Sequence, residues 1–284
     1  MKITLLIGLV GLLMTGCQTM SQGEPVTFEW RVQDSPAKYQ VVYQEIDVKP
    51  GLMVSGFEVL DNQELRNLVK QELRSLRLPP ATYEGRVESH EGLVRATVTG
   101  VVPDYDGPPQ DDQEKFLRQM IENNAGNAEL VGDFSNNGEL RSFYHAQKQR
   151  NALNLLFSLA GRSLETGDYW QPRVFGVEVG PGFFPEDTRR ISRSFLESVT
   201  ATDDGEQVAT MLYVISDEVD GYFRVKREGE LKEVPVSISH TYLALGDFNV
   251  TTGRWESFTG VSGHLSRGTT RNESMILYAL RPEG

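Results

Sequence analysis

The chain has one cysteine in 284 residues, at position 17. Disulfide staples are excluded, and so is a thiolate metal site. Histidine is also scarce, with four: His90, His145, His240 and His264. None stands in an H-E-x-x-H or H-x-H pattern, so a zinc site has no local support. G-x-S-x-G is missing; Gly260-Val261-Ser262-Gly263-His264 puts His where the last Gly belongs. Ser35-Pro36-Ala37-Lys38 fits S-x-x-K by letter but has no S-D-N or K-T-G downstream. There is no P-loop and no G-x-G-x-x-G nucleotide fingerprint. The acidic cluster Asp104, Asp106, Asp111, Asp112 and Glu114 lacks EF-hand spacing. No catalytic residue, metal or cofactor is assigned on these patterns. Positive charge is short too: 28 Lys and Arg against 40 Asp and Glu give a formal net charge of −12. Such a surface repels nucleic acid and anionic lipid heads. A mean hydropathy of −0.36 and a single long apolar run exclude a multi-span membrane protein.

That one apolar run opens the chain. Lys2 is followed by about a dozen mostly apolar residues, too few to span a bilayer comfortably. No Ala precedes Ala37, so an A-x-A cleavage site is absent. Met14-Thr15-Gly16-Cys17 resembles the bacterial lipobox. The resemblance implies a signal peptide over residues 1–16 and lipidation of Cys17, which becomes the first residue of the mature chain. Several acyl chains on one cysteine anchor stably to a membrane, at about 0.8 kcal/mol per buried CH₂. Gln18 rather than Asp follows the cysteine, and by the enterobacterial sorting rule that implies an outer-membrane, periplasm-facing location. Residues 17–25 read as a short polar tether.

Residues 26–145 read as an α+β domain. Strands are expected over Val26–Val32, Tyr39–Val48 and Leu52–Leu60. Then Asn62–Leu76 forms a helix, with Asp61 as N-cap, Glu64 completing a capping-box pair, and an apolar stripe of Leu65, Leu68, Val69, Leu73 and Leu76. Arg66, Lys70 and Arg74 read as its solvated face. Strands over Ala81–Glu88 and Leu93–Val102 flank His90-Glu91-Gly92. A second helix, Asp112–Asn124, starts from Asp111 with Glu114 three residues on, and carries Phe116, Leu117, Met120 and Ile121 as its stripe. Glu129–Phe134 and Glu139–Tyr144 form a hairpin about Asn137-Gly138.

Residues 52–134 thus read strand, helix, strand, strand, helix, strand, the split ferredoxin-like order. From the first helix onward, residues 61–134 also resemble the BON domain of bacterial envelope proteins. The match rests on Val87-Glu88-Ser89-His90-Glu91-Gly92-Leu93-Val94-Arg95-Ala96-Thr97-Val98-Thr99-Gly100-Val101 after a helix. The resemblance implies a binding or assembly module at the membrane.

A connecting helix is expected within 146–167, from about Gln147 to Glu165, buried through Leu153, Leu156, Phe157, Ala160 and Leu164. Residues 168–284 read as an antiparallel β domain, a meander closed or half-closed. Its strands are Arg173–Val179, Ser192–Thr200, Gln207–Ser216, Tyr222–Arg227, Val234–Phe248, Arg254–Gly263 and Glu273–Leu280. Turns fall at Asp203-Asp204-Gly205, Asp217–Gly221, Glu228-Gly229, Thr251-Thr252-Gly253 and Arg267-Gly268. Gly180-Pro181-Gly182-Phe183-Phe184-Pro185 reads as a stiff aromatic loop. Phe183 and Phe184 with the following Arg189 and Arg190 are the candidate ligand-binding residues: an apolar lip beside a basic knot. His240 reads as a structural histidine.

The functional expectation is a membrane-anchored periplasmic lipoprotein, non-enzymatic, binding an apolar ligand or an envelope protein partner. The competing readings are an envelope hydrolase with non-local catalytic residues and a structural subunit of an envelope complex. The anchor is directly testable. Cys17→Ser is expected to move the protein to the soluble fraction or to hold it at precursor size. Unchanged fractionation and mobility contradict the lipidation reading.

Overall fold

The computed structural model describes residues 24–103, 105, 107–145, 150–174, 176, 181–227 and 230–283. The expected signal peptide, Cys17, Asp104, Asp106, residues 146–149 and Gly180 lie outside the described residues, as do most of the expected strand 173–179 and the Glu228-Gly229 turn. No described helix is long and apolar enough to cross a membrane.

The elements run β1 Val26–Thr27, β2 Ala37–Ile46, a 3-10 turn Pro50–Leu52, α1 Gly56–Asp61, α2 Gln63–Ser75, β3 Tyr83–His90 and β4 Leu93–Gly100. They continue with α3 Asp112–Asn124, β5 Ala128–Phe134, β6 Leu140–His145, α4 Arg150–Phe157, β7 Ser163–Leu164 and β8 Tyr169–Trp170. Five long strands complete the chain: β9 Phe183–Ala201, β10 Gln207–Arg227, β11 Glu230–Asn249, β12 Arg254–Arg267 and β13 Arg271–Pro282.

Among the described residues, eleven strands make one antiparallel sheet in the order β6-β5-β4-β3-β2-β13-β12-β11-β10-β9-β8. Every neighbour is also a neighbour in sequence except β13 and β2. The protein is therefore α+β and β-rich. The sheet passes without a break through the expected boundary between 26–145 and 168–284, because β2 pairs with β13 on one side and β3 on the other. Twisted sheets beyond about ten strands tend to curl. This one curls around α4 and the segment carrying Phe28, Trp30 and Val32, with residues of β2 to β5 and β9 to β13 in one inner core. The outer face is covered by α1 and α2, over a second core that includes Val59, Val69, Leu73, Val214 and Leu277.

Several expectations are corrected. Leu52–Leu60 is not a strand. Ser55 interrupts it as the N-cap of α1, its Oγ accepting from Phe57 N at 3.3 Å. The first strand of the ferredoxin-like order is thus helical, and β3, β4 and β5 are consecutive neighbours in a meander. The helix–strand–strand–helix–strand order from α2 to β5 remains. Val26–Val32 pairs only at Val26–Thr27, against β7. The helix within 147–165 is shorter, Arg150–Phe157, and it is a core element rather than a connector: Ala152, Leu153, Leu155, Leu156 and Phe157 are all buried. The turn Asp217–Gly221 is continuous strand in β10, with a register shift between Asp220 and Gly221.

The α2 face holding Arg66 and Lys70 turns to the sheet instead of to solvent. Lys70 pairs with Glu197 at 2.7 Å, and the Arg66 guanidinium lies 5.0 Å from the centre of the Phe195 ring. In α3 the opposite holds. Asp111 caps it as expected, accepting from Glu114 N at 2.7 Å, yet the apolar stripe faces outward, with Phe116 61% exposed.

The cap of α2 is Asn62, whose Oδ1 accepts from Glu64 N and Leu65 N at 3.0 and 3.1 Å. Asp61 is the last residue of α1. Asn62→Ala is expected to cost about 1 kcal/mol. That corresponds to roughly 2–4 °C in melting temperature for a chain of this size. Asp61→Ala should stay within about 0.5 kcal/mol. Equal losses in a thermal melt would contradict the assignment.

Candidate functional site

The two ends of the sheet do not meet. Between β6 at one edge and β8 at the other lies a cleft of about 1000 Å³. Its apolar walls are Leu140 and Phe143 from β6, Leu159 and Ala160 after α4, and Trp170, Pro172 and Val174 from the β8 side. Asn154, Glu139, Arg162, Asp168 and Arg173 bring polar groups to it. The volume is at the upper end of the roughly 300–1,000 Å³ typical of small-molecule sites, and the lining is mixed, with Asn137, Ser158 and Gln171 adding further polar groups beside the apolar side chains.

The cleft exists because α4 fills the space the edges would need to close. Its C-terminal carbonyls have no helical N–H partner. Trp30 Nε1 donates to Phe157 O at 3.0 Å and Trp255 Nε1 to Leu156 O at 2.9 Å. The chain then turns out along the cleft. Leu159 N bonds Gly138 O at 3.4 Å, and a Cβ on Gly138 would lie 2.4 Å from Leu159 N. With φ at +79°, that position in the β5–β6 turn suits only glycine. Across the mouth, Arg173 Nη1 on one side reaches Glu139 Oε1 on the other at 3.3 Å.

Beyond Ile215 and Tyr242, at the limit of the inner core, the same face of the sheet turns polar. In β-sheet register, Arg190, Asp217, His240 and His264 stand in one row across β9, β10, β11 and β12. Arg190 Nε lies 3.2 Å from the buried Asp217 carboxylate and its other end donates to Val174 O. His240 Nε2 lies 2.7 Å from Ser262 Oγ. Burial, with His264 beside it, pushes the His240 imidazole down to about 4. At neutral pH the ring is therefore uncharged. A base this weak holds an abstracted proton poorly, so the Ser262–His240 pair reads as a structural hydrogen bond rather than a nucleophile and its activator. Among the described residues no group of three His, Cys, Asp or Glu is arranged to hold a metal.

The four candidate ligand residues of the sequence are not brought together. Phe183 and Phe184 are not in a loop; they open β9 and point to opposite faces, as strand neighbours must. Phe183 is buried edge-on against Phe223, with ring centres 5.2 Å apart. Phe184 is half exposed, stacked on Tyr222 with Arg224 above it. Arg190 shares the inner face with Phe183, while Arg189 lies outside, 3.4 Å from Glu218 and 4.2 Å from the centre of the Phe57 ring. Cys17 lies outside the described residues.

The cleft residues were missed because nothing local marks them. They come from a turn, an edge strand, the end of a helix and a loop. Gly138, Trp170 and the buried stripe of α4 were visible singly, but their convergence depends on pairing between strands far apart in sequence.

No protein family model, curated protein or solved structure gives a significant match to this chain. The site therefore stands on its own geometry.

The depressed imidazoles set a pH dependence. An unfolded histidine takes a proton near 6.5, whereas folded His240 takes it near 4. Between these values the unfolded chain binds more protons, so stability falls as pH drops through that window and is fully present above it. His264 is also lowered by burial and adds in the same direction. The His240 contribution is on the order of 3 kcal/mol. Chemical denaturation of wild type and His240→Asn at pH 7, 6 and 5 should show their difference narrowing towards pH 5. A difference constant with pH would contradict the buried neutral ring.

Proposed function

We propose that the chain is a lipid-anchored lipoprotein of the cell envelope, facing the periplasm, that acts by binding rather than catalysis. Its ligand is apolar and sits in the cleft between the two sheet edges. The observation that carries this reading is the cleft itself: about 1000 Å³, walled by Leu140, Phe143, Leu159, Trp170 and Val174. Cys17 supplies the membrane attachment, and the acidic surface leaves lipid as the means of holding to the bilayer.

A second reading, an envelope protein partner, is favoured by one observation. The stripe of α3 leaves Phe116, Leu117 and Met120 exposed, 61%, 50% and 46% respectively. Together with the helix–strand–strand–helix–strand order from α2 to β5, this supports the assembly role that the BON resemblance implies.

The two readings separate by experiment. Ala160→Trp places a large side chain in the cleft wall. It is expected to weaken binding of an environment-sensitive apolar dye at least tenfold, with the circular dichroism spectrum unchanged. Phe116→Ser with Leu117→Ser should leave dye binding intact. Dye binding unaffected by Ala160→Trp, or lost with the α3 changes, would contradict the cleft assignment.

A further inference from the structure

The floor of the cleft holds a polar side chain where the helix otherwise carries apolar ones. α4 is buried from Ala152 to Phe157, and every side chain in that run but one is apolar. The exception is Asn154, only 5% exposed, and it lines the cleft. Its Oδ1 accepts from Ser158 Oγ at 3.0 Å, one helical turn further on, and Ser158 lines the cleft as well. The Asn154 Nδ2 amino group has no hydrogen-bond partner among the described residues. It is not sealed in the core either, so it opens on the cleft. Leu153, Leu155 and Leu156 surround Asn154 in sequence, and asparagine is a poorer helix former than leucine. A buried amide with one end unmatched calls for an explanation.

We propose that Asn154 and Ser158 are the polar anchor of the cleft, and that the ligand presents an uncharged carboxamide to them. This rests on the cleft reading and names the chemistry of its occupant: an apolar chain against Leu140, Phe143 and Trp170, with an amide head at the end of α4.

The head group follows from what the pair leaves over. Asn154 Nδ2 offers N–H donors, which call for an acceptor oxygen. The Ser158 O–H is spent on Asn154 Oδ1, which leaves the Ser158 lone pairs to accept. A carboxamide matches both, its C=O to Asn154 and its N–H to Ser158. An ester matches only the first. The charged residues of the lining sit at its rim: Arg162, Asp168 and Arg173 are exposed and Glu139 is half-buried. They balance in sign, Arg173 pairs with Glu139, and Arg162 Nη2 donates to Tyr169 O at 2.8 Å. The buried part of the lining, Gly138, Asn154, Leu159, Trp170 and Pro172, holds no charge. An ionic head drawn down to Asn154 would leave water with no counter-charge in the wall beside it, which is strongly unfavourable.

The test uses the full-length protein in detergent and four probes that share one brominated chain: bromostearamide, bromostearate methyl ester, the bromostearate anion and bromo-octadecane. Binding is read by quenching of tryptophan emission, since Trp170 is in the cleft wall. Each variant is compared with the wild type in the same detergent, so partition of a probe into micelles cancels. Asn154→Leu is expected to weaken the amide and the ester by about three- to tenfold, the range of one net hydrogen bond, and to leave the alkane unchanged. Asn154→Ala, which cannot overfill the floor, should give the same pattern. Ser158→Ala should weaken the amide and leave the ester unchanged. Amide binding untouched by both Asn154 variants, or equal losses of amide and alkane in both, overturns the proposal while the cleft reading survives. So does a Ser158→Ala loss shared equally by the ester, or an anion that binds the wild type at least as tightly as the amide. Failure of all four probes to bind removes the cleft reading and this inference together.

Discussion

The last turn of α4 leaves carbonyls that no helical N–H can reach, and Trp30 and Trp255 donate to two of them. One indole comes from the N-terminal segment and the other from the start of β12, so the helix end is gripped from both sides. The helix alone, eight residues long, has no stability in water. Its apolar face, Ala152 to Phe157, and these two hydrogen bonds hold it inside the curl of the sheet. A carbonyl stripped of its indole and left buried costs about 1–3 kcal/mol. With α4 in place the inner face is filled and the edges β6 and β8 stay apart. The aromatic neighbours tighten the arrangement: Trp30 meets Phe248 edge-on at 5.7 Å, and Trp255 meets Phe258 at 5.1 Å.

The cleft follows from that constraint. Its floor is the end of α4 and its walls are the two sheet edges, bridged at the mouth by Glu139 and Arg173. The Arg173 side chain is 83% exposed, and ion pairs this exposed contribute little. The mouth can therefore open without disturbing the core. The Arg190–Asp217 pair lies beside the cleft, since Arg190 also donates to Val174 O, and the two histidines continue its row across β11 and β12.

Much of the fold is legible in local pattern. Turns with their own chemistry, such as Glu91-Gly92 and Asp203-Asp204-Gly205, fix β3–β4 and β9–β10, and Asp111 caps α3 as its spacing indicates. The failures have a shared cause. Asp217, Glu218 and Asp220 look like a turn because three acids in five residues suit solvent. In β10 they are strand because Arg190 and Arg189 stand opposite the first two and Ser237 bonds Asp220. The basic knot read as a ligand site is the other half of that ladder. Phe183 and Phe184 invited a lip reading for the same reason: adjacent aromatics look exposed until a partner strand offers Phe223 and Tyr222, one to each face. Leu52–Leu60 has strand composition, but Ser55-Gly56 supplies a cap and a break. The cleft was illegible, since it is made by what the sheet order leaves unpaired.

The central claim is that the indole-held end of α4 keeps the sheet open and shapes the cleft. Hydrogen exchange of the wild type and of Trp30→Phe with Trp255→Phe tests it most directly. Amides of 152–157 should be protected in the wild type nearly as well as those of β10 and β11. In the double variant they should lose protection together with the cleft wall at 158–174, while β10 and β11 keep theirs. Protection of α4 that is unchanged by removing both indoles would contradict the account.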